Sequence, residues 1–279
     1  MLVGLIWLLN LVAVFGYAVF VRNPDMLNLH PLFPVIFGQS YQFFSRVSVA
    51  LAFVAVVAEM TRQIRFKWIL PLLLVCLISA AAELLGTSTG LPFGPYEYTD
   101  LLGPKIAGLV PYLIPLSWFT MAVPSYLIVR KIYQRSGSGW ALFRISLSSL
   151  VLVHWDLTLD PAMSQLTPFW IWGTSGPYYG TPILNLVGWF VVSLLIMISL
   201  EWSIGSKRIS NVRWHWNFYL ANLILPFGIC MAAGLWFAVG LSTAFMAFLF
   251  WAARYHSPKQ RHRMDVSVPD SSKFQSSLP

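Results

Sequence analysis

Apolar runs of about twenty residues recur along the whole chain, and nothing else narrows its possible folds as far. The first, "MLVGLIWLLNLVAVFGYAVFVR", carries no charge before Arg22. A bilayer core takes roughly 20 apolar residues per α-helix. Lipid admits only helices or closed barrels, because each backbone N–H and C=O must be satisfied internally. These runs are continuous rather than alternating, so they read as helices. Eight are expected, near residues 2–21, 39–59, 68–86, 106–129, 140–161, 182–203, 216–235 and 238–254. Only 10% of residues are charged, against roughly 25% in a soluble domain, so the chain could not cover a water-facing surface. The expected fold is an all-α, polytopic integral membrane protein. One transmembrane domain covers 1–256, and a polar, disordered cytoplasmic tail covers 257–279. The first run lacks the basic leader of a secretory signal and reads as a retained helix.

Basic residues set the orientation. Arg62, Arg65 and Lys67 follow the second run, Arg130, Lys131 and Arg135 the fourth, and Lys207, Arg208 and Arg213 the sixth. Arg254, Lys259, Arg261, Arg263 and Lys273 follow the eighth, whereas the opposite loops hold only Arg22 and Lys105. Positive residues favour the cytoplasmic side, so both termini are expected there, with an even number of spans in a plasma or thylakoid membrane. The net charge of +8 is topological and does not point to nucleic acid, since no basic soluble domain is present. Cys76 and Cys230 lie within apolar runs and read as packing residues. Nucleotide-binding, haem and serine-hydrolase motifs are absent from the sequence.

Two segments break the helical pattern on the outer face. "AAELLGTSTGLPFGPYEYTDLLGP" runs from Ala81 to Pro104, and "HWDLTLDPAMSQLTPFWIWGTSGPYYGTPILN" from His154 to Asn185. Proline and glycine fix turns in both, and their aromatics are expected to bury. Ionisable groups inside spans are costly and are functional candidates by default. Here they are Arg46, Glu83, Asp156 and Asp160, with His154 beside them. Asp156 and Asp160 are four apart and share a helix face. Two carboxyls so placed repel, and one is expected to keep a proton for general-acid work. Asp156, one turn deeper, is expected to be the acid, with Asp160 positioning water and Glu83 the competing donor. Arg46 is expected to pair with one of the three. Glu59, Glu201 and Arg144 read as snorkelling side chains at span ends.

"DLTLD" also has the D-x-x-x-D spacing of diphosphate–Mg²⁺ sites, but no second Asp-rich motif accompanies it. No metal site and no cofactor are expected. His154 reads as a hydrogen-bonded structural side chain or a proton relay, and a distant pairing with His30 stays open. Acids, aromatic faces and few cations suit protonation of an isolated alkene, since Trp and Tyr faces stabilise a carbocation that water then quenches. Candidate wall residues are Trp118, Trp155, Trp170 and Trp172.

"ELLGTSTGLPFGPYEYTDLLGPKIAGLVPYLIPLSW" and the later "DLTLDP" through "WIWGTSGPYYGTPILNLVGW" resemble the two signatures of the carotenoid 1′,2′-hydratase family. Its relatives include bacterioruberin-type hydratases of halophilic archaea. The resemblance spans Glu83 to Trp189 and implies addition of water to the terminal double bond of a linear or monocyclic carotenoid, giving a 1′-hydroxyl. In phototrophs that product precedes glycosylation to myxoxanthophyll-like glycosides, so a carotenoid glycosyltransferase is an implied partner. Matching polar positions are Glu83, Tyr96, Tyr98, Asp156, Asp160, Tyr178, Tyr179 and Asn185. The pI of about 9.7 argues against a halophilic source and favours lycopene or γ-carotene as substrate. The alternatives are a non-catalytic carotenoid or lipid binding or transport protein and, more distantly, a prenyltransferase-like enzyme acting on carotenoids.

Overall fold

A computed structural model describes residues 1–134, 137–207 and 209–255. Its eight helices are α1 (Leu2–Arg22), α2 (Leu32–Ile64), α3 (Ile69–Thr89), α4 (Leu113–Ile132), α5 (Ser138–Asp160), α6 (Ile183–Ile204), α7 (Val212–Ala232) and α8 (Trp236–Tyr255). The expected tail over 257–279 lies outside the described residues. Among the described residues six stretches are long and apolar enough to cross a membrane, and one of them, Leu32–Thr89, holds both α2 and α3. Helix α7 is not among them, because Arg213, His215, Asn217 and Asn222 dilute its apolar character. Leu8, Phe15, Leu77 and Trp202 on the outside are 61–73% exposed. Such a coat is untenable in water and natural in lipid. This is an all-α membrane protein.

Helix α4 is the axis. It touches α2, α3, α5, α6 and α7, and every residue from Trp118 to Val129 is buried. A helix apolar on all sides belongs at the centre of a bundle. The basic ends of the helices are tied together. Glu59 accepts from Arg62 at 2.8 Å and from Asn211, the residue just before α7, at 2.9 Å. Glu201 of α6 accepts from Arg144 of α5 at 3.0 Å and from Tyr126 of α4 at 2.6 Å. Arg130 donates to the Ile204 and Lys207 carbonyls. Glu59, Glu201 and Arg144 therefore fasten helix ends to one another, where simple snorkelling was expected.

The opposite end carries the irregular segments, and here the helix limits differ from expectation. Helix α2 begins at Leu32, and α4 begins at Leu113 instead of residue 106. The missing turns of α4 are a hairpin in which β2 (Lys105–Ile106) pairs antiparallel with β3 (Val110–Pro111). Ala107 and Gly108 at its tip have φ of 50° and 73°, outside the right-handed helical region. After α5 the chain widens into a π-helical stretch, Pro161–Leu166, a feature frequent at functional sites.

Candidate active site

The two irregular segments are one structure. Strand β1 (Tyr96–Tyr98) pairs antiparallel with β4 (Trp170–Trp172), with Tyr96 opposite Trp172 and Tyr98 opposite Trp170. Side chains alternate across a strand. "YEY" and "WIW" therefore turn four aromatic rings inward, while Glu97 and Ile171 face out. Thr99 N–H and Gly173 N–H extend the pairing to the Phe169 and Pro95 carbonyls. Trp172 Nε1 donates to Ser164 in the π-helical stretch at 3.3 Å. This small sheet lids the ends of α3, α4, α5 and α6.

Two glycines let the lid sit close. A Cβ on Gly86 of α3 would lie 2.8 Å from the Phe93 ring, and one on Gly188 of α6 would lie 2.4 Å from the Pro92 carbonyl oxygen. The loop carrying Phe93 is thus pressed between two helices.

Beneath the lid is a small cavity. Glu83 and Asp160 reach it from α3 and α5, and Asn185 and Trp189 from α6. Trp118 of α4 stacks on Trp189 with ring centroids 4.0 Å apart. Glu83 is buried and surrounded by donors. Tyr96 Oη donates to its Oε2, Tyr98 Oη donates to the same oxygen at 2.8 Å, and Trp118 Nε1 donates to Oε1 at 2.9 Å. Burial, reinforced by the Glu83 carboxyl, pushes the Tyr96 and Tyr98 phenols above the ordinary tyrosine range. Both stay protonated and remain donors.

The aspartates have a different setting. Asn185 Nδ2 donates to Asp160 Oδ2 and, at 3.4 Å, to Asp156 Oδ2. The two carboxyls lie within hydrogen-bonding reach of each other, and Asp156 Oδ1 is buried with no donor partner. A proton on either aspartate turns this acceptor–acceptor contact into a hydrogen bond.

Of the residues singled out in the sequence, Glu83, Asp160, Tyr96, Tyr98, Trp118, Trp170, Trp172 and Asn185 share the cavity wall. Asp156 is not on that wall and is fully buried. Arg46 departs from expectation. It donates to the Leu101 carbonyl at 2.9 Å, the Asp100 carbonyl at 3.0 Å and Gln42 at 3.1 Å, and pairs with none of the three acids. The loop dips back far enough for its own carbonyls to satisfy the guanidinium. Tyr178 and Tyr179 are also off the wall: Tyr178 Oη donates to the Leu157 carbonyl at 2.5 Å, and Tyr179 takes a φ of 50° at the loop tip. Trp155 lines a neighbouring cavity. Phe93, Ile114, Ser117, Leu159 and Trp189 complete the wall without having been singled out. Trp189 was within reach of reasoning, since it lies four residues after Asn185 on the same helix face.

His154 is buried between α5, α7 and α8, with Nδ1 2.7 Å from Tyr219 Oη and Nε2 2.8 Å from Ser242 Oγ. His30 is exposed and accepts from the Leu32 N–H at 3.2 Å, so the two are not a pair. Among the described residues no group of three or more His, Cys, Asp or Glu is placed to hold a metal ion.

Bisanhydrobacterioruberin hydratase of Haloarcula japonica is 27% identical over 250 residues, covering 88% of this chain and 80% of that protein. No solved structure matches the chain. The family described as carotenoid biosynthesis protein matches residues 44–249, which span every residue of the cavity wall. The chain belongs to this carotenoid biosynthesis family.

Proposed function

We propose that the protein is a carotenoid 1′,2′-hydratase, a cofactor-independent hydro-lyase that adds water to the terminal double bond of lycopene or γ-carotene. The observation that carries this reading is the convergence of two differently solvated carboxyls, Glu83 and Asp160, in one aromatic cavity of a carotenoid biosynthesis protein. The name of the archaeal relative supports the reaction class.

The aspartate pair holds one proton between two carboxyls, because both cannot ionise in contact. Asp160, on the wall, gives that proton to the less substituted alkene carbon. The π electrons form the new C–H bond and leave a tertiary cation at C1′. The Trp118–Trp189 stack and the Tyr96, Trp170 and Trp172 rings present their faces to that charge. Water attacks C1′ through an oxygen lone pair and passes its surplus proton to Glu83, whose three donors fit it to be the ionised partner. Proton return from Glu83 to the aspartate pair closes the cycle. Asp156 stores and shares the proton without meeting substrate.

The test is purified protein in lipid nanodiscs with lycopene and no added cofactor. The expected product is heavier by one water. Asp160→Asn should lower turnover about 10²-fold or more, the usual scale of a general acid, while carotenoid still binds. If Asp160→Asn turned over normally and Asp156→Asn did not, the donor would be Asp156.

A further inference from the structure

The acid cavity does not end beneath the lid. It shares Ile114, Ser117, Leu159 and Trp170 with a second cavity. That one shares Ser45, Met163, Phe169 and Leu225 with a third. Shared walls set the three cavities in a row from the acids, past the π-helical stretch, to the seam between α1 and α2. Val12 and Ile36 on the wall of the last cavity are 50% and 60% exposed, so the path opens sideways, where lipid tails lie.

The lining chemistry selects the occupant. Phe20, Phe37, Tyr17 and Tyr41 form an edge-to-face and tilted ring series along the outer cavity. Four of the hydroxyls along the path donate within the protein: Ser45 to the Tyr41 carbonyl, Ser117 to Ile114, Thr120 to Ser117, and Ser48 to Asn10. What remains is a route lined chiefly by apolar and aromatic groups, with no Lys or Arg among them. It suits a rod of conjugated carbon and offers no cation to a phosphate headgroup.

We propose that this path is a binding site for the polyene tail of the substrate, which enters from the bilayer between α1 and α2 with its terminal alkene leading. The proposal rests on the hydration reading above. It implies that one end reacts at a time while the far end stays in lipid, so a cyclised far end is tolerated.

Two variants test it. Ser45→Phe narrows the junction of the second and third cavities, and Gly16→Phe fills the outer cavity from a position where a Cβ meets no atom within 4 Å. Each should lower kcat/KM for lycopene about tenfold or more and leave a short isoprenoid with the same terminal alkene, geranylacetone, within about twofold of wild type. Lycopene turnover within about twofold of wild type in both variants would overturn the proposal. So would an equal loss on both substrates, which would tie these residues to the acid cavity and not to the tail. If the wild-type protein hydrates neither substrate, the hydration reading fails by itself, and the tail site is judged by binding. Loss in both variants of the visible spectral shift of bound lycopene then supports the site, and an unchanged shift refutes it.

Discussion

Glu83 and Asp160 share a cavity but have opposite neighbours, and this contrast is the basis of the assignment of roles. Glu83 has three donors and no acceptor among its partners, whereas Asp160 touches a second carboxyl. Tyr98→Phe removes one donor from Glu83. A hydrogen bond to a charged group contributes about 1.5–3 kcal/mol, so turnover should fall about tenfold or more, with KM less affected. Single-turnover kinetics would read this split, and a rise in KM alone would make Tyr98 a substrate contact only. Arg46 gives a complementary prediction. Arg46→Met should lower thermal stability by about 1 kcal/mol, the scale of lost hydrogen bonds to loop carbonyls, and leave turnover per folded molecule within about twofold. A large loss of turnover at unchanged stability would restore Arg46 as a charge partner. Sequence reasoning singled out the three acids because charge inside an apolar run is rare. It misjudged Arg46 by assuming that a charge needs a charge, when two backbone carbonyls suffice.

The lid is the element that turns helix ends into a site. Gly188→Ala places a methyl 2.4 Å from the Pro92 oxygen, an overpacking of the kind that costs about 1–3 kcal/mol. Lower thermal stability and a large loss of turnover are expected, with Gly38→Ala, which meets nothing within 4 Å, as the silent control. Equal behaviour of the two variants would mean that the lid is not held by this approach. Both lid segments were legible as rigid, aromatic and non-helical. Their pairing was not, because three alternating residues such as "YEY" carry too short a period to mark a strand, and the register joins residues more than 70 apart in sequence. Lys105 to Pro111 failed for another reason. Its apolar composition resembles the helix that follows, and only the positive φ at Ala107 and Gly108 separates them.

At the scale of the whole molecule, basic clasps gather at one end and the acid cavity lies at the other. From this and the positive-inside rule we propose eight spans and cytoplasmic termini. A topology reporter fused after Tyr255 should read as cytoplasmic, and an extracytoplasmic signal would take one helix out of the count, α7 first. The apolar coat was plain from composition. The interior path was not, since it arises where α1, α2, α4, α5 and α7 leave space between them. The central claim is that bulk water becomes the hydroxyl of the product at this site. Incubation of the purified protein with lycopene in H₂¹⁸O tests it most directly: the account predicts one heavy oxygen per hydroxyl formed, absent with Asp160→Asn, whereas a hydroxylated product without the label, or labelled product at full yield from Asp160→Asn, would contradict it.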